Sequence, residues 1–217
     1  MRMRKKKHTE ERILACESVN ITNPEEYIGK WHDMCDGKKL CLEIGCGKGS
    51  FVCGMSKKHK DDRFFVAMEK VRDVIMLAME KITGDESGIE NVRFIAGDAE
   101  ALPKIFAPGE VDEIYLNFSD PWPKARHAKR RLTYRKFLEM YKTLLSPDGV
   151  IYFKTDNRPF FDFSLEEFPA AGYEMSDITF DLHNSPYNED NVVTEYEATF
   201  SARGFTINRL VARPIRK

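Results

Sequence analysis

Lys39-Leu40-Cys41-Leu42-Glu43-Ile44-Gly45-Cys46-Gly47-Lys48-Gly49-Ser50, residues 39–50, runs from an apolar stretch directly into three glycines spaced two apart. A short, continuous apolar run bounded by turn residues reads as a strand buried on both faces. Glycines at 45, 47 and 49 let the chain turn sharply and bring its backbone against a ligand, where a side chain would intrude. Ser50 to Lys58 then opens a helix. A dinucleotide fingerprint of the form G-x-G-x-x-G requires a glycine where Ser50 stands, so the loop is not of that type.

Outward from this stretch the pattern alternates. Phe64 to Met68, Val92 to Ile95, Glu113 to Leu116 and Val150 to Lys154 read as further strands, with two more near Tyr173 to Asp181 and Thr206 to Ala212. Val71 to Ile82 and Tyr134 to Leu145 are periodic helices, the second ended by the turn Ser146-Pro147-Asp148-Gly149. Pro24 to Asp36 reads as a short helix with Trp31 packed inward. The expected architecture is α/β, a mostly parallel seven-stranded sheet with helices on both faces. The expected organisation is a basic N-terminal arm and short helix over 1–36, then a single domain over 37–217.

With 217 residues, 42% hydrophobic and 32% charged, the chain has the composition of a soluble globular protein. The basic start, MRMRKKKHTEER, lacks the apolar stretch of a secretory signal, and no apolar run reaches membrane-spanning length. A cytoplasmic location is expected. The five cysteines (16, 35, 41, 46, 53) form no CxxC pair and are read as reduced, mostly buried thiols with no metal site. A net charge of −1 hides strong unevenness. Residues 156–200 hold eleven acids and one base, Arg158, while 201–217 hold five bases and no acid.

Three acids fall at successive strand ends: Glu43 before the glycine loop, Glu69 after the second strand, and Asp98 after the third. A carboxylate in the Glu69 position suits the two hydroxyls of a ribose, and Asp98 suits an adenine amino group. Each could instead be an ordinary helix N-cap. A fourth strand leads into Asn117-Phe118-Ser119-Asp120-Pro121-Trp122-Pro123, a stiff turn with one carboxylate and one indole. Lys124, Arg126, Lys129, Arg130, Arg131, Arg135 and Lys136 follow with no acid among them, a run suited to a polyanion. Trp122 either stacks on a base or braces its loop between two prolines.

The G-x-G-x-G loop preceded by an acid resembles the first motif of class I S-adenosylmethionine-dependent methyltransferases. The blocks Asn117 to Lys124, Arg126 to Arg131, Phe153-Lys154-Thr155-Asp156-Asn157 and Thr194-Glu195-Tyr196-Glu197 resemble the signatures of the bacterial tRNA (guanine-N7-)-methyltransferases. The resemblance covers most of the chain, and its DPWPK and TEYE blocks are more specific than the glycine motif. It implies a Rossmann-like class I methyltransferase fold, S-adenosylmethionine as cofactor, and transfer of its methyl to guanine N7 in the tRNA variable loop.

By position, the resemblance implies cofactor contacts at Glu43, Glu69, Asp98 and Asp120, beside the glycines at 45, 47 and 49. It implies substrate contacts at Lys124, Asp156, Thr194, Glu195, Tyr196 and Glu197. Arg126, His127, Lys129, Arg130 and Arg131 would meet RNA. Asp120 is the expected orienting residue in catalysis, with Asp156 and Glu197 as further acceptors for the guanine edge. Tyr196 is also read as core packing at a strand end, and His127 and His183 as ordinary polar residues, since N7 has no proton to lose. The partner is tRNA, with no membrane or metal, and the enzyme works as a monomer or homodimer. Two other functions compete: a class I methyltransferase for a protein or small-molecule amine, and a non-enzymatic RNA-binding module. The first leaves the basic run unexplained, and the second leaves the adenosyl acids without a role.

Overall fold

The computed structural model describes residues 7–216. The basic residues among 1–6 lie outside the described residues. α1 (Thr9–Leu14) and α2 (Trp31–Cys35) precede β1 (Lys39–Ile44), and a 3-10 turn over Pro24–Tyr27 stands between them. The expected single helix over 24–36 is thus broken. Gly29, at φ 73°, takes a left-handed conformation that no helix can pass through. After β1 come α3 (Ser50–Lys58), β2 (Arg63–Glu69), α4 (Arg72–Thr83), β3 (Val92–Ala96), β4 (Val111–Asn117), α5 (Arg135–Leu144) and β5 (Leu145–Thr155). The chain closes with α6 (Arg158–Ala170), β6 (Tyr173–Thr179), α7 (Glu195–Ser201) and β7 (Asn208–Pro214).

The seven strands form one sheet in the order β3-β2-β1-β4-β5-β7-β6, parallel through β5, with β7 antiparallel to both its neighbours. Strand periodicity divides the apolar residues between two cores. Leu40, Leu42, Phe64, Val66, Ile114 and Phe153 face one side, with Trp31, Leu138, Tyr141, Phe160 and Phe168 of α2, α5 and α6. Cys41, Phe65, Ala67, Phe94 and Tyr115 face the other, with Ile13, Val52, Ile75 and Met79 of α1, α3 and α4. This two-sided burial is why the strands read as continuous apolar runs.

Residues 7–36 share these cores. Arg12 donates through Nε and Nη2 to the Glu80 carboxylate of α4 (2.7 and 2.6 Å), and Asn20 forms a parallel bridge to Phe94 at the open edge of β3. Trp31 is fully buried, its indole Nε1 donating to the Ile105 carbonyl (2.9 Å). Packing therefore does not change character at the expected boundary between 36 and 37. The five cysteines are free and buried.

The strand order reverses between β1 and β4, which is where ligands lodge in such sheets. Glu43 and Asn117 lie at the carboxyl ends of these two strands, and Glu69, Asp98 and Asp156 lie at or just past the ends of β2, β3 and β5. One fold therefore brings distant sequence blocks to one edge.

Candidate active site

A cleft of about 760 Å³ opens at this edge, lined by Gly45, Gly47, Glu69, Asp98, Phe118, Asp120, Trp122, Lys129 and Arg130 among others. A second pocket of about 400 Å³ adjoins it, lined by Glu43, Lys48, Asn117, Thr194, Glu195, Tyr196 and Phe200. Gly45, Gly47, Val74 and Phe118 border both. Phe118 holds a left-handed backbone (φ 51°), as does Trp122 (φ 43°). Strained backbone in non-glycine residues persists where its surroundings over-determine it, commonly at functional sites.

The three loop glycines divide in role. Gly45 and Gly47 have φ of 81° and 56°, and a Cβ on either would meet no heavy atom within 4 Å, so their backbone faces open cleft. Gly49 (φ 74°) instead presses on α4: a Cβ there would stand 2.8 Å from the Ala78 Cβ. It lines neither cleft, and its place in the motif is explained by close packing of α3 on α4. Between them, the Glu69 carboxylate accepts from the backbone N–H of Gly47 (3.3 Å) and Val71 (2.9 Å), which fixes it at the cleft floor. Asp98 accepts from the Glu100 backbone N–H (3.2 Å), so it caps the 3-10 helix Ala99–Lys104 while standing exposed at the cleft wall.

Glu43 is buried. Its Oε1 accepts from Asn117 Nδ2 (3.1 Å), and its Oε2 has no hydrogen-bond partner. Burial pushes this carboxyl up to about 7, against the hydrogen bond from Asn117 and the charge of Lys154. A buried acceptor without a partner asks for a ligand donor or cation. Open glycine backbone, an orphaned carboxylate oxygen and two anchored acids together fit S-adenosylmethionine, which carries a positive centre, a ribose and an adenine. Among the described residues no cluster of His, Cys, Asp and Glu could hold a metal ion.

On the substrate side, Asp120 is exposed at the cleft rim and Lys124 is exposed beyond it. Asp156 accepts from the Tyr196 hydroxyl (3.3 Å), and the Tyr196 ring lies tilted against Phe118 at 5.1 Å. Tyr196 is 44% exposed, in the first turn of α7, so it is not the core residue at a strand end that its sequence context suggested. Thr194 caps α7, accepting from the Glu197 N–H (3.0 Å) in a capping box. Glu195 accepts from Lys81 (2.7 Å), which holds its carboxyl below the ordinary range.

Glu197 is fully buried and does not reach the pocket. Its carboxylate takes Lys154 Nζ (2.6 Å) and Asn191 Nδ2 (2.7 Å) and sits 2.8 Å from His183 Nε2. Burial opposes its ionisation, yet Lys154 and these hydrogen bonds hold it below the usual carboxylate range.

The basic run also divides. Arg131 donates to the carbonyls of Pro121 (2.9 Å) and Trp122 (3.0 Å) and covers the Phe163 ring at 4.3 Å, so it locks the DPWP turn from within. Arg130 lies over the Trp122 ring at 4.9 Å, with the His127 ring 5.8 Å away, which makes Trp122 a braced residue. Arg135 pairs with Glu167 (2.8 Å) and Lys136 with Glu100 (3.1 Å). Lys124, Arg126, Lys129 and Arg130 are exposed. Phe118 and Lys154 lie inside the signature blocks, yet nothing in the sequence marks them as functional. Their signals, a left-handed backbone and a buried ammonium, exist only in three dimensions.

A glycine turn after the first strand of a doubly wound sheet, with acids at the next strand ends, defines a class I methyltransferase, and a family model described as “Putative methyltransferase” matches residues 37–210. The chain belongs to the tRNA (guanine-N7-)-methyltransferase family. It is 47% identical over 193 residues to the tRNA (guanine-N(7)-)-methyltransferase of Lachnoclostridium phytofermentans, covering 88% of this chain and 89% of that protein. It is 44% identical to the enzyme of that name from Streptococcus thermophilus, over 98% of this chain and 99% of the relative. The fold is like that of a SAM-dependent methyltransferase from Aquifex aeolicus, with a TM-score of 0.56 at 14% identity, covering 97% of this chain and all (100%) of that one.

Proposed function

We propose that the enzyme transfers a methyl group from S-adenosylmethionine to N7 of a guanine in the variable loop of tRNA, forming 7-methylguanosine. The observation that carries this reading is the seam at Phe118. A cleft with adenosyl-type acids and a pocket with hydrogen-bonding side chains open on its two sides, and exposed cations stand just beyond. When bound, the cofactor supplies a methyl carbon activated by a sulfonium. Glu43, Gly45, Gly47, Glu69 and Asp98 hold it. Guanine N7 has an in-plane lone pair and no proton, so no general base is required, and among the described residues no histidine lines the cleft or the pocket. The protein's part is to align the two reactants and exclude water.

Asp120 orients the guanine at the rim, and its charge favours the cationic product. Asp156, Tyr196, Thr194, Glu195 and Lys124 surround the base, while Arg126, His127, Lys129 and Arg130 follow the RNA backbone. Glu197 and Arg131 support this set from behind rather than touching RNA. The enzyme works in the cytoplasm without a metal, as a monomer or homodimer. Among the described residues no helix is long and apolar enough to cross a membrane.

The test is methyl transfer from labelled S-adenosylmethionine to two tRNA transcripts, one with the variable-loop guanine and one with adenine there. Label in the first alone, with chain cleavage at that site after borohydride and aniline, supports the reading. Equal label in both points to another RNA position, and none in either, with cofactor binding intact, points to an amine substrate. Asp120→Ala is expected to cost about 100-fold or more in kcat, on the scale of losing one positioned electrostatic group. A near-normal kcat removes Asp120 from its role.

A further inference from the structure

Lys154 stands near the end of β5 with its side chain buried. Its ammonium donates to Asn191 Oδ1 (2.8 Å), the Val192 carbonyl (3.0 Å) and Glu197 Oε2 (2.6 Å). All three acceptors lie on the segment that enters and opens α7. The same ammonium sits 5.4 Å over the Phe51 ring and 5.5 Å over the ring of Phe118, the seam residue. α7 itself is seven residues long, too short to be stable alone, and Glu197 is its one buried residue. Its apolar contacts are the part-exposed rings of Tyr196 and Phe200 beside Phe118, and Lys81 of α4 holds Glu195 at the surface. From the interior, its first turn is tied to the sheet by the ammonium of Lys154, with Val192 against Gly54 of α3.

Stability does not explain the choice of residue. Buried ion pairs are commonly replaced by apolar residues at no loss. What an ion pair adds is direction, since each hydrogen bond fixes an angle as well as a distance. We propose that Lys154 is a positioning residue of the methyl transfer. It fixes α7 and Phe118 relative to one another, and so sets where Tyr196 and Thr194 stand around the guanine. Tyr196 is then held between Phe118 and Phe200, whose ring stacks on it at 4.3 Å, with its hydroxyl on Asp156. The inference rests on the guanine reading above.

The experiment compares wild type with Lys154→Met and with the double variant Lys154→Met/Glu197→Gln. The double variant removes both charges at nearly constant volume, so no buried charge is left unpaired. For each, S-adenosylmethionine affinity and stoichiometry are measured by calorimetry, and kcat and KM by methyl transfer to the guanine transcript. The double variant is expected to bind the cofactor somewhat more weakly, because the charge of Lys154 lowers the carboxyl of Glu43, so kcat is read at saturating cofactor. Its kcat, counted per cofactor-binding site, should fall about 100-fold, the scale of an ångström's misplacement. KM for tRNA should change little, because the grip on RNA lies elsewhere. A wild-type kcat in the folded double variant overturns the proposal. So does a kcat loss no larger than the loss of cofactor-binding sites, or failure of both variants to fold, since either makes the pair purely structural. If wild type itself leaves the transcript unlabelled, the guanine reading fails instead.

Discussion

Glu43 shows how one residue links burial to ligand choice. Its carboxyl, ordinarily near 4.5, is raised to about 7 by burial. The sign follows from linkage: a folded state that holds a proton the unfolded chain has released is favoured at low pH. The contribution of Glu43 to stability is therefore fullest below the ordinary carboxyl range and is lost as pH rises from there to about 7, a change of about 3 kcal/mol. With Glu43 facing the cofactor as proposed, a cationic cofactor would favour the ionised form and its binding would expel the proton. Affinity for S-adenosylmethionine should then strengthen as pH rises towards about 7 and level off above it. Calorimetry at several pH values checks this, and Glu43→Gln should lose the trend; a flat wild-type profile would sink the idea. The glycines give a second prediction at this scale. Gly49→Ala places a methyl 2.8 Å from Ala78 in a left-handed backbone, and should cost about 2 kcal/mol or more in stability, seen as a lower Tm. Gly47→Ala meets no neighbour, so it carries only the strain of its left-handed φ (56°), should lower Tm by less, and should weaken the cofactor. If Gly47→Ala lowers Tm as much as Gly49→Ala, or Gly49→Ala weakens the cofactor as much as Gly47→Ala, the division of roles is wrong.

α7 and α6 show what a sequence hides at the scale of elements. The glycine turn and the apolar strands were legible because each obeys a local rule, and so was the turn at 117–123. α6 was not. Its aromatic residues Phe160 and Phe161 are adjacent, and Pro159 and Pro169 sit near its two ends, so the helical period is obscured. Only its cap, Asn157 accepting from the Phe160 N–H (2.9 Å), follows the usual pattern. α7 carried a readable signal, the T-x-x-E capping box of Thr194 and Glu197, inside a block read for its chemistry alone. That Glu197 faces inward could not be read, because the residue it pairs with lies 43 positions earlier on another element. The cap makes a prediction of its own. Thr194→Ala should loosen the first turn by about 1 kcal/mol. α7 borders the pocket that Glu43, Gly45 and Gly47 also line, while Glu69 and Asp98 stand apart from it, so kcat on tRNA should drop by more than cofactor affinity does. Equal losses in both would mean that α7 also shapes the cofactor cleft.

At the scale of the molecule, a chain with a net charge of −1 has to hold a polyanion, so the distribution of charge matters more than its sum. The seven bases of 124–136 look alike in the sequence, but three have partners within the protein: Arg131 braces the carbonyls of 121 and 122, while Arg135 and Lys136 pair at the surface with Glu167 and Glu100. Lys124, Arg126, Lys129 and Arg130 remain exposed beside the cleft. These two sets should separate in a salt titration of tRNA binding. Each phosphate contact contributes about 0.7 to 0.9 to the slope of log affinity against log salt. Replacing Arg126 and Lys129 with Ala should therefore flatten the slope by about 1.5 and weaken binding, leaving kcat at saturating tRNA near wild type. Replacing Arg131 should do the reverse, because its guanidinium shapes the turn that carries Asp120 and Trp122: kcat falls while the slope stays. Fluorescence anisotropy of labelled tRNA over a range of salt, paired with single-turnover methyl transfer, reads both quantities on the same variants. An Arg131→Ala slope as flat as that of the double variant would place its guanidinium on RNA, and the turn would then need another brace.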